Sequence, residues 1–68
     1  MNKFSQLRAT RQIARLSQDE LGRRTGVDRA RISRMEGSYI RPSLRERKAL
    51  SRVLGVPAEV LFPASTEK

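Results

Sequence analysis

Leu16-Ser17-Gln18-Asp19-Glu20-Leu21-Gly22-Arg23-Arg24-Thr25-Gly26-Val27-Asp28-Arg29-Ala30-Arg31-Ile32-Ser33-Arg34-Met35-Glu36 decides how this chain folds. Ser17 is a good helix N-cap and Glu20 follows three residues later, the spacing of a capping box. The helix opened there runs to about Thr25, and Gly26 supplies a position that accepts positive φ. Asp28 caps a second helix that ends before Gly37. The stretch therefore predicts two helices of about two turns each across a tight turn. Helices this short are barely stable alone, so packing has to hold them.

The second of these helices has two chemical faces. At about 100° per residue, Ile32 and Met35 fall within about 60° of each other, with Asp28 projecting between them. Arg29, Ala30, Ser33 and Arg34 fall on the opposite arc. That arc offers two guanidinium groups, a hydroxyl and a methyl, groups suited to base edges: arginine to guanine, small apolar groups to the thymine methyl.

Working outward, a helix from about Lys3 to Ala14 is expected before this stretch, with Phe4, Leu7 and Ala14 near one face. After it, Gly37 to Pro42 reads as a loop, because Pro42 cannot donate a backbone hydrogen bond and discourages helix just before it. Ser43 caps a further helix reaching Leu54, with Leu44, Leu50, Val53 and Leu54 apolar. Pro57 suits the first turn of a last, short helix carrying Val60, Leu61 and Phe62. The expected fold class is all-α, five short helices, with residues 1–63 expected as one domain and 64–68 as a frayed polar tail.

Composition narrows the function. With no cysteine there is no disulfide framework or thiolate metal site, and with no histidine the commonest general base and metal ligand are missing. Asp19 and Glu20 are the only adjacent carboxylates, and a helix dipole explains them. No catalytic constellation emerges, and neither a cofactor nor enzyme activity is expected. Fifteen Lys+Arg against seven Asp+Glu give a formal charge of +8, and twelve of the fifteen are arginine. Such a balance points to a polyanionic partner that a guanidinium fork grips bidentately. No amphipathic helix suits a membrane surface, no stretch is apolar enough to span one, and a cytoplasmic protein is expected.

The order of residues adds a specific resemblance. Leu16-Ser17-Gln18-Asp19-Glu20-Leu21, Thr25-Gly26-Val27-Asp28, Ile32-Ser33-Arg34-Met35-Glu36, Arg41-Pro42-Ser43-Leu44 and Leu54-Gly55-Val56-Pro57 together resemble the phage-repressor (Cro-like, xenobiotic-response-element) helix-turn-helix family, over roughly residues 4 to 62. The resemblance implies a lambda-repressor-like DNA-binding domain whose helices two and three form the helix-turn-helix, an arrangement typified by phage repressors. It implies that Arg29, Ala30 and Arg34 reach base edges, with Ser33 between them touching base or backbone. Gln18, at a helix start, corresponds to a phosphate contact. Arg41 and Tyr39 lie in the segment that follows the sugar-phosphate backbone; for Tyr39 a ring covering the core edge is an equal alternative. Arg11 and Glu36 correspond to a partly buried ion pair, a structural role for Arg11 before any DNA contact.

Several residues depart from the family pattern. Arg15 stands where glycine is frequent, which implies backbone strain. Gly22 replaces the usual alanine, keeping a close approach to helix three at about 1 kcal/mol of helix propensity. Thr25 takes a normally aliphatic position, and the glycine after Glu36 comes one residue early, with Ser38 in its customary place. Arg47 and Ser51 thin the core of helix four.

The expected function is a sequence-specific duplex-DNA-binding transcriptional regulator, a repressor acting as a homodimer on an inverted repeat, with Leu54, Val60, Leu61 and Phe62 as the dimer contact. No small-molecule effector is expected. The competing readings are an antitoxin-like adaptor with a protein partner, and a non-specific nucleic-acid-binding protein.

Overall fold

The computed structural model describes residues 5–63, and the expected tail at 64–68 lies outside them, as do Lys3 and Phe4. Five helices follow one another: α1 (Leu7–Ile13), α2 (Gln18–Thr25), α3 (Arg29–Glu36), α4 (Leu44–Leu54) and α5 (Ala58–Leu61). No strand interrupts them among the described residues. The bundle closes on Leu7, Leu21, Val27, Ile32, Met35, Leu50, Leu61 and Phe62, with Leu16, Ile40, Val53, Leu54 and Val56 packed around them. Each short helix thus contributes one or two apolar side chains to a shared core, and that burial holds helices too short to stand alone.

Local chemistry sets the helix boundaries. Ser17 Oγ accepts the Glu20 N–H at 2.9 Å, but only this half of the expected box forms. The Glu20 carboxylate turns to Arg23 and Arg24 on its own helix. The reciprocal box sits on α4, where Ser43 Oγ takes the Glu46 N–H at 3.1 Å and Glu46 Oε1 takes the Ser43 N–H at 2.9 Å. Gly26 and Gly55 end α2 and α4 with φ of 77° and 73°, left-handed conformations that suit glycine. Thr25 earns its unusual place through its hydroxyl, which donates to Leu21 O at 2.8 Å and accepts the Val27 N–H at 3.2 Å.

The first helix is shorter than the sequence suggests. Ser5 and Gln6 are not helical, and buried Ser5 accepts the Leu7 N–H at 3.2 Å. At the other end Ala14 is an exposed C-cap, not part of the core face. Arg15 adopts φ 62°, the left-handed turn that its glycine-like position implies, and brings Leu16 back toward the core. Ser38 does the same with φ 63°, whereas Gly37 has an ordinary φ of −85°. Gly22 meets a tight approach: a Cβ there would lie 2.8 Å from Val27 O.

Candidate nucleic-acid interface

α3 reaches the surface along one side only. Ile32 and Met35 are fully buried, while Arg29, Ala30, Ser33 and Arg34 are all exposed on the opposite arc. Asp28 is the N-cap, as expected; it is exposed although its helical angle lies between the buried pair, and its Oδ2 accepts the Ala30 N–H at 3.1 Å.

Two bidentate pairs fix this helix. At its C-terminal end, Arg11 Nε and Nη2 donate to Glu36 Oε2 and Oε1 at 2.5 and 3.2 Å, and the side chains are only 12% and 6% exposed. Arg11 Nη1 also donates to Leu16 O at 2.8 Å, and Gln18 Nε2 donates to Glu36 Oε1 at 3.1 Å. One carboxylate therefore ties α1, α2 and α3 together. In the middle of α3, Arg31 Nε and Nη2 donate to Glu46 Oε2 and Oε1 at 2.6 and 2.8 Å. Hydrogen bonding from Arg31 holds the Glu46 carboxyl below its usual range, assisted by the Ser43 N–H and opposed by partial burial. Ser43-x-x-Glu46 carries the same box spacing as Ser17-x-x-Glu20, but nothing in the sequence joins Glu46 to Arg31.

The remaining expected site residues are distributed unevenly. Gln18 is half-buried and gives one amide N–H to Glu36, leaving the other, with the backbone N–H groups of Gln18 and Asp19, for an outside acceptor. Tyr39 is 81% exposed, so its ring does not cover the core edge. Arg41 is exposed in the α3–α4 loop. Arg8 and Gln12 of α1 line an open groove with Gln18 and Ser33, a juxtaposition created by packing α1 on α3.

The apolar contact set needs correction. Leu61 and Phe62 are core residues with 0% and 3% exposure, not surface, because α5 is a single turn that points them inward. Gln6 N donates to Leu61 O at 2.7 Å, and the Arg47 guanidinium lies 5.9 Å from the centre of the Phe62 ring. Leu54 is half-buried against the core. Of the four, Val60 is the one left exposed, at 50%, and Leu44, expected among the apolar positions of α4, is 68% exposed.

A family model described as helix-turn-helix domain matches residues 5–62. The chain belongs to the helix-turn-helix domain family. Within it, α2, the turn at Gly26 and α3 have the helix-turn-helix arrangement, and a domain of this family is a nucleic-acid-binding one. A solved structure, Streptomyces albus HEPD with 2-hydroxyethylphosphonate and Fe(II) bound, is similar with a TM-score of 0.73 and 28% sequence identity. The alignment covers 91% of this chain and 14% of that one, so the likeness concerns a small part of HEPD. No curated protein matches the sequence. Among the described residues, no group of carboxylates, histidines or cysteines is placed to hold a metal ion, and no helix is long and apolar enough to cross a membrane.

Proposed function

We propose that this helix-turn-helix protein is a Cro-like, sequence-specific regulator of transcription that binds double-stranded DNA in the cytoplasm, represses, and has no enzymatic activity. The observation that carries the reading is the face of α3: Arg29, Ala30, Ser33 and Arg34 stand exposed together on a helix clamped at two points. A rigid helix with arginines on its outer arc suits the major groove, where a bidentate arginine–guanine contact discriminates between bases by roughly 1–3 kcal/mol. Gln18, at the start of α2, and Tyr39 and Arg41, in the loop after α3, serve the phosphates. One such helix spans only a few base pairs, so the protein acts as a homodimer on an inverted repeat, with half-sites roughly 10 base pairs apart. Val60, with the half-buried Leu54, supplies the subunit contact in place of the buried Leu61 and Phe62.

Selection from random duplexes, repeated with Arg34→Ala and Arg41→Ala, tests this. Arg34→Ala relaxes the preference at one base pair, whereas Arg41→Ala weakens all sequences alike and reduces the slope of log affinity against log salt by about one unit. If both variants lose affinity equally on every sequence, α3 is not a reading head and a non-specific binder replaces the regulator. No DNA selected at all would favour the adaptor reading.

A further inference from the structure

Asp19 has no part in capping α2, since Ser17 Oγ takes the Glu20 N–H. Its carboxylate crosses instead to the start of α3, where Oδ1 accepts a hydrogen bond from Arg29 Nη1 at 3.4 Å. The two side chains are 66% and 64% exposed, so the pair lies at the surface on the edge of the reading face. Nη1 alone is engaged. A guanidinium has five N–H donors in a fixed planar fork, so the Nε–Nη2 edge stays available for a second, bidentate partner.

We propose that Asp19 is a specificity-determining positioning residue, holding Arg29 through Nη1 so that its Nε–Nη2 edge faces guanine O6 and N7. The inference rests on the reading that α3 faces base edges. An unrestrained exposed arginine samples many rotamers and loses that freedom on binding, whereas one already tethered loses less. The carboxylate also works against the competing contact: a guanidinium that swings to a phosphate must leave Asp19, and the negative charge disfavours phosphate nearby. Both effects favour the correct base over a sequence-blind grip. The α2–α3 turn makes the pairing possible by placing residue 19 of one helix opposite residue 29 of the next.

Competition binding with Arg29→Ala, Asp19→Asn and Asp19→Glu decides the matter, using duplexes varied at each base pair of the selected site. Arg29→Ala identifies the pair that Arg29 reads by abolishing preference there, a loss of about 10-fold. Asp19→Asn is expected to lower discrimination at that same pair by about 1.5- to 5-fold, as for an exposed ion pair. It should leave the pair read by Arg34 unchanged and bind unrelated duplex more tightly. Asp19→Glu, which keeps the charge, should restore most of the lost discrimination. Undiminished discrimination in Asp19→Asn overturns the inference and leaves base reading by Arg29 intact. An equal loss at every pair in Asp19→Asn also overturns it, since that is a general disturbance. If Arg29→Ala changes no preference, the reading of Arg29 falls and the role of Asp19 with it.

Discussion

Replacing Glu36 by alanine removes the acceptor for three donors at once: Arg11 Nε, Arg11 Nη2 and Gln18 Nε2. Arg11 then keeps only Leu16 O at 2.8 Å, with its side chain 12% exposed. Removing one partner of a buried ion pair costs roughly 3–5 kcal/mol, mostly because the surviving charge stays desolvated without compensation. The residual exposure of Arg11 and its remaining carbonyl place the loss at the lower end, about 3 kcal/mol. Total stability for a chain of this length is only about 3–10 kcal/mol, so the loss is a large fraction of it. At roughly 4–8 °C per kcal/mol for so small a domain, the midpoint falls by about 12–24 °C. Thermal melts followed by circular dichroism measure this directly, at low and high salt, because a buried pair is little screened. A paired Arg11→Met, Glu36→Leu variant should recover much of the loss, since apolar replacement of both partners leaves no uncompensated charge. A Glu36→Ala melting midpoint within about 4 °C of the parent, or one that recovers in salt, would refute the reasoning.

Three further expectations follow from the backbone and from the second clamp. Arg15 sits at φ 62°, so Arg15→Gly should stabilise by about 0.5–1 kcal/mol once the greater chain entropy of glycine is subtracted, read from the urea midpoint. Gly22→Ala should destabilise by about 1–3 kcal/mol despite its better helix propensity, because its Cβ would meet Val27 O, a backbone atom, at 2.8 Å; a more stable variant would show that the turn yields freely. The Glu46 carboxyl is held below its ordinary value of 4.5, so its contribution to stability is present above that pH and lost as the pH falls below it. Glu46→Gln should therefore flatten the decline in stability between about pH 5 and lower pH, and an unchanged acid slope in urea titrations would contradict the pairing with Arg31.

What could be read from residue order alone was local. Ser17, Asp28 and Ser43 cap helices, and Gly26 and Gly55 end them, because a cap hydrogen bond or a left-handed φ involves only a few neighbouring residues. The burial of Ile32 and Met35 and the exposure of Arg29, Ala30, Ser33 and Arg34 follow from helical periodicity in the same way. The pair between Arg11 and Glu36 was legible only through family resemblance, since the residues lie 25 positions apart and nothing in their spacing joins them. Tertiary structure alone decided the rest. Arg31 finds Glu46 across 15 positions and Arg29 finds Asp19 across 10, distances set by how the helices cross and not by any local preference. The same holds for α5: one turn of helix has too few residues for its pattern to say which side faces inward. The hydrogen bond from Gln6 N to Leu61 O and the packing of α4 on α5 turn Leu61 and Phe62 into the core and leave Val60 outside.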